Sequence, residues 1–158
     1  MSDNPGLFDG KYGLTPFALF EVELTAPVAI DNDGPVARRF IPITGGRFSG
    51  EIEGTILPGG GDWQHVWPDR LELSAHYILK TTAGALIEVR SEGLRSGSPE
   101  VLARLGRGEV LDPSEYYFRT AIRMTTGAPE LAHLNGMLGV AMGARMPFGV
   151  TLRVFKVL

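Results

Sequence analysis

The chain has 158 residues, no cysteine, and 15 basic against 18 acidic residues, for a formal charge of -3. That length suits one domain, since chains of this size hide roughly 70% of their unfolded surface on folding. The weak negative charge leaves no broad basic surface for nucleic acid. The missing thiols exclude disulfides, thiolate zinc sites and cysteine nucleophiles, and suit a reducing cytoplasm.

Met1 to Leu14 lacks the apolar core of a secretory signal and is expected to be a loosely held arm, with one domain over 15–158. Beyond it, 21 glycines and 11 prolines punctuate the chain roughly every eight to twelve residues, the spacing of many short strands joined by turns. Strands are expected at Phe17 to Leu24 and Arg38 to Ile43. Phe48 to Leu57 alternates Phe48, Gly50, Ile52, Gly54 and Ile56 against Ser49, Glu51, Glu53 and Thr55, which predicts a half-buried strand. Its two inward glycines point to missing side chains in an interior, or to bends. Leu71 to Lys80 sets Leu71, Leu73, Ala75, Tyr77 and Leu79 on one face. Ala85 to Leu94 does the same with Ile87, Val89, Ser91 and Gly93, and the short link at 82–84 pairs these two strands as a hairpin.

Ser98 as N-cap, Pro99 at the first position and glycines at 106 and 108 delimit one short helix near 98–107. Further strands are expected at Tyr116 to Thr125, Met137 to Met142 and Val150 to Val157, with a short turn of helix over Pro129 to Leu134. The longest uncharged run near the far end, Leu131 to Ala144, is too short to span a bilayer. The pattern is all-β: a closed antiparallel β-barrel of about eight to ten strands, preferred over a sandwich because closure removes exposed edges.

The glycine run before Asp62 and Trp63 lacks the Lys and Ser/Thr of a phosphate loop, and no helix follows it. It reads as a bend, with Asp62 and Trp63 free to point into the barrel mouth. His65, His76 and His133 lack metal-ligand spacing, and no serine stands in a nucleophile elbow. Glu72, Glu88 and Glu92 project from polar faces, so Asp62 is the one serious acid/base candidate. Arg95 extends the inward series of Ile87, Val89, Ser91 and Gly93 by one step. A buried guanidinium there needs an anionic partner, either a protein carboxylate such as Asp62 or a bound ligand. Tyr117, Arg119 and Arg123 share one face of their strand. Hydrophobicity turns that face outward; the opposite assignment puts Tyr117 and Arg119 beside Tyr77 and Arg95 around one cavity.

Several blocks together resemble the domain of unknown function 3237 family: residues 39–46 with Phe48, the Leu57-Pro58-Gly59-Gly60 run, Asp62-Trp63-Gln64, Gly93-Leu94-Arg95 with Pro99, and Tyr116-Tyr117-Phe118-Arg119. The likeness covers about Phe17 to Leu158. Two departures are Arg70 where a glycine usually follows the aspartate, and His133 where tryptophan usually precedes Leu-Asn. The resemblance implies a self-associating β-barrel, with some members linked to breakdown of lignin-derived aromatics by cofactor-free lyase chemistry. The combined expectation is a cofactor-independent lyase or isomerase, such as a decarboxylase, for a small carboxylated or phenolic aromatic molecule. Asp62, Tyr77, Tyr117 and Arg119 would be catalytic, and Arg39, Trp63, Gln64, Arg95 and His133 would bind substrate. No metal, cofactor, nucleic acid or membrane is expected, and the protein is expected to be a cytoplasmic homo-oligomer. A non-catalytic binding barrel, carrier or sensor, is the alternative.

Overall fold

The computed structural model describes Gly10 and residues 12–158, so most of the expected arm lies outside the described residues. Ten strands are present: β1 (Leu14–Leu24), β2 (Val28–Asp31), β3 (Ala37–Gly50), β4 (Gly54–Ile56), β5 (Gly61–Val66), β6 (Arg70–Thr81), β7 (Leu86–Ser96), β8 (Tyr117–Thr125), β9 (Leu138–Met146) and β10 (Gly149–Val157). One helix, α1 (Pro99–Gly106), interrupts them, with short 3-10 turns at Pro113–Glu115 and Pro129–Gly136. The Ser98 hydroxyl caps α1 by accepting from the Val101 N–H, as its position before Pro99 predicts.

All pairings are antiparallel, and β1 closes the sheet by pairing with both β10 and β3. The result is an eight-stave barrel. One stave is shared: β4 pairs with β3 and β6 near one end, β5 pairs with the same two strands near the other, and the turn at 57–60 joins them, with backbone hydrogen bonds to Ile43 and Ile78. β2 pairs with β3 beyond the point where β1 leaves it.

Phe48 to Leu57 is not one strand. The chain reverses after Gly50, and Phe48 lies opposite Gly54 across the β3–β4 pair. A period of two survives such a reversal, because Phe48, Ile52 and Ile56 remain buried on the same side. Gly50 and Gly54 do not hollow the interior. Their positive φ angles and lack of Cβ let the backbone press against β1 and β6: a Cβ on Gly54 would stand 2.0 Å from the Lys80 carbonyl oxygen.

The interior has two unlike halves. Toward the end closed by the 129–136 turn, Phe20, Leu79, Ile87, Val89, Met124, Leu134 and Val154 are fully buried. Phe20 and Phe48 meet edge to face at 5.9 Å. Toward the other end the inward positions carry small or polar residues, Ala75, Ser91, Thr120 and Gly143 among them, and the packing opens into a cavity.

Candidate functional site

The cavity measures about 390 Å³ and is walled by residues from all eight staves, Val22 and Leu24 of β1 included, together with the β9–β10 turn. That is near the lower end of small-molecule sites. β3 contributes Arg39, Ile41 and Ile43; β5 contributes Asp62 and Gln64; β6 contributes Leu73, Ala75 and Tyr77. Ser91 and Arg95 come from β7, Phe118 and Thr120 from β8, Arg145 from β9, and Val150 and Leu152 from β10. Thr25, Ala26 and Pro27 on one side and Met146, Pro147 and Phe148 on the other line it between β1 and the β9–β10 turn. Phe118 owes its place to Gly143, directly across the sheet, where a Cβ would meet the ring at 2.6 Å.

Asp62 sits at the centre of a short relay. Arg39 Nε donates to Gln64 Oε1 at 2.7 Å, and Gln64 Nε2 donates to Asp62 Oδ2 at 2.7 Å. The Ser74 N–H donates to the other carboxyl oxygen at 3.0 Å. Burial pushes the Asp62 pKa up to about 6; the Gln64 and Ser74 hydrogen bonds, with Arg95 and Arg39 further off, hold it from rising more. Burial, followed by the positive charges of Arg145 and Arg39, brings Arg95 down to about 10. Arg39 is lowered by burial and by Arg145. The Tyr77 hydroxyl is raised, chiefly by burial and secondarily by the Asp62 charge.

Three buried polar atoms on this wall have no hydrogen-bond partner among the described residues: Tyr77 Oη, Arg95 Nε and Thr120 Oγ1. Buried polar groups are nearly always satisfied, so three unsatisfied atoms on residues that wall one hollow set it apart from the rest of the interior.

Of the nine site residues expected from sequence, the cavity brings together Asp62, Tyr77, Arg39, Gln64 and Arg95. It does not include the other four. Trp63 alternates with Asp62 along β5, so the two cannot share a face; Trp63 is 55% exposed, packs on Phe40 at 4.6 Å and lines a shallow outer cleft with Ile30, Arg38 and His65. Tyr117 is 52% exposed, and Arg119 lies over its ring at 5.0 Å while donating to the Phe118 carbonyl. Their strand turns its apolar face, with Phe118 and Ile122, inward. His133 is exposed on the 129–136 turn, outside the cavity wall.

Sequence reasoning placed Ser91 inward without naming it a site residue, and missed Arg145, Thr120 and Phe118 as wall residues. Arg145 was findable: Ala141 and Gly143 are small inward residues of β9, and the next step of two reaches Arg145. The expected strand stopped at Met142, which left Arg145 in a loop. Among the described residues there is no group of three or more His, Cys, Asp or Glu side chains placed to hold a metal ion, and no helix long and apolar enough to cross a membrane.

A closed β-barrel whose one hollow end is walled by three guanidinium groups and a single carboxyl group defines the structural class. Residues 12–157 match the model of the protein family of unknown function DUF3237, and the chain belongs to that family. It is similar to a UPF0311 protein of Rhodopseudomonas palustris, 43% identical over 127 residues, covering 79% of this chain and 83% of that protein. Another UPF0311 protein, from Bradyrhizobium diazoefficiens, is 38% identical over 95% of this chain and 97% of its own length. A crystal structure of a conserved R. palustris protein of unknown function superposes with a TM-score of 0.88 at 35% identity, covering 96% of this chain and all of that one. A solved structure described as an enzyme from Penicillium herquei has the same fold, with a TM-score of 0.73 at 16% identity over 97% of this chain and 99% of its own.

Proposed function

We propose that the cavity binds a small carboxylated or phenolic aromatic molecule and that the protein acts on it as a cofactor-independent lyase or isomerase. The observation that carries this reading is Asp62. It is the one carboxyl group among the described wall residues, its pKa of about 6 lies close to neutrality, and the same hollow holds the unpartnered Tyr77 hydroxyl and Arg95 guanidinium. An acid or base works best when its pKa lies near the working pH.

In this reading a guanidinium fork holds the substrate carboxylate. Phe118, Leu73 and Ile41 offer apolar surface to the ring. Asp62 moves a proton to or from carbon, and the Tyr77 O–H and Arg95 N–H groups stabilise the oxyanion that develops on a phenol or carbonyl oxygen. In decarboxylation, the phenol oxygen would lose its proton and push electrons into the ring while protonated Asp62 delivers a proton to carbon, giving a quinone-methide or dienone form. The bond to the carboxylate would then break, its electron pair passing back to that oxygen as carbon dioxide leaves, and protons from water would restore the phenol and Asp62.

One observation favours a second reading, a carrier or sensor without chemistry: both Asp62 oxygens are already engaged, by Gln64 and the Ser74 N–H, as a purely structural carboxylate would be. A panel of aromatic acids, scored by thermal stabilisation and by product mass and chromatographic retention, separates the two. The enzyme reading expects a new product in the wild type, changed in mass for a lyase or in retention alone for an isomerase, and in Asp62→Asn retained binding with turnover down by about 100-fold or more. Stabilisation with no new product selects the carrier; neither signal across the panel overturns both.

A further inference from the structure

Three arginines wall the cavity and one carboxyl group answers them. None of Arg39, Arg95 and Arg145 lies within 4.0 Å of a carboxylate oxygen among the described residues; outside the cavity Arg38, Arg47, Arg70, Arg104 and Arg107 have such a partner, and Arg90, Arg119, Arg123 and Arg153, which lack one, are exposed or half-buried. With Asp62 ionised, three positive charges less one negative leave the hollow at +2. Unbalanced charge held away from water is costly, and here Arg95 is buried while Arg39 and Arg145 are half-buried. A bound monoanion would leave one charge over; a dianion would neutralise the site.

The topology says how the two negative charges would be disposed. Arg95 on β7 and Arg145 on β9 flank β8, whose Phe118 lies between them, with its ring 5.8 Å from the Arg95 guanidinium carbon. Arg39 stands on β3, separated from β7 by β5 and β6 and from β9 by β10 and β1, so it enters the hollow from the staves across from the other two, near enough for the charges of Arg39, Arg95 and Arg145 to act on one another. Asp62 and Tyr77 lie on the two strands that bridge β3 and β7 on one side. A ligand with its acid groups at its two ends would reach both sets of guanidinium groups and lay its middle beside Asp62 and Tyr77.

We propose that the occupant of this cavity is a small dicarboxylate, with one carboxylate received between Arg95 and Arg145 over the Phe118 ring and the other received by Arg39. This rests on the reading of the cavity as a site for acids, and it narrows that reading from one acid group to two. A phosphate monoester also carries two charges, but on one centre, and entry of the guanidinium groups from opposite staves suits two separate acid groups better.

The test is calorimetric titration of the full chain at neutral pH with benzoate, benzene-1,4-dicarboxylate and phenyl phosphate. The dicarboxylate is expected to bind about tenfold or more tighter than benzoate. Arg39→Met is expected to weaken the dicarboxylate by a larger factor than benzoate, bringing the two affinities within about threefold of each other; should Arg39→Met fail to fold, Arg39→Lys is expected to shrink the advantage by weakening the fork. Benzoate binding as well as the dicarboxylate overturns the proposal and leaves the site an acid site. Phenyl phosphate binding tighter than the dicarboxylate overturns the two-ended arrangement. Failure of all three probes to bind overturns the proposal together with the reading it rests on.

Discussion

The two ends of the barrel are built from the same strands and yet have opposite energetics. In the filled end, Phe20, Leu79, Ile87, Val89 and Val154 are 0% exposed and meet one another. In the hollow end the same strands carry Ala75, Ser91, Arg95 and Thr120, with three buried polar atoms left unsatisfied. One end supplies stability and the other consumes it. The barrel tolerates a destabilised, charged hollow because closure of the sheet and the filled half hold all eight staves in register.

Breaking the filled end should have the largest effect: Phe20→Ala should lower the unfolding free energy by about 3–5 kcal/mol in urea titration, through lost burial and the cavity left at Phe48. At the hollow end, Asp62 offers a pH signature. Its folded pKa of about 6 lies above the ordinary 3.8, so the folded state holds its proton more tightly than the unfolded one. Wild-type stability should therefore fall relative to Asp62→Asn as pH rises from about 4 through about 6, by about 3 kcal/mol in total, and the difference should level off above that window. Equal pH profiles for the two proteins would show that Asp62 is not desolvated. Arg95→Met should raise stability by about 2 kcal/mol, since it removes a buried charge that lacks a partner, while ligand binding is lost. A loss of stability in that variant would break the contrast between the two ends. Tyr117→Phe, on the outer wall, should change stability by less than about 0.5 kcal/mol and leave ligand affinity unaltered.

The barrel was legible where strands alternate without interruption. β6 and β7 show their inward faces directly, and the two-residue step from Gly93 to Arg95 placed a guanidinium in the interior. Legibility failed where local pattern and tertiary context part. The alternation from Phe48 to Leu57 continues through a reversal of the chain, because both arms of the hairpin put their apolar side chains into the same core. On β8, Tyr117 and Arg119 suggest a polar lining, but burying Phe118, Ile122 and Met124 is worth more than lining the hollow with them, and the strand turned accordingly. β2 and β5 are short and follow proline or glycine, so neither shows enough alternation to be read alone. The missed Arg145 has a simpler cause: its strand runs four residues past Met142, to Met146.

The break in the shared stave has a consequence for how such a barrel can change its chemistry. Asp62 and Gln64 ride on β5, whose ladders with β3 and β6 lie beyond the loop at 57–60, while β4 keeps its own ladder with the same two strands nearer the filled half. Substitutions within β5 therefore act on the hollow end alone. Exchanging its residues between related barrels would transplant the acid and its amide companion and leave the apolar plug untouched, so new specificities are reachable without rebuilding the scaffold.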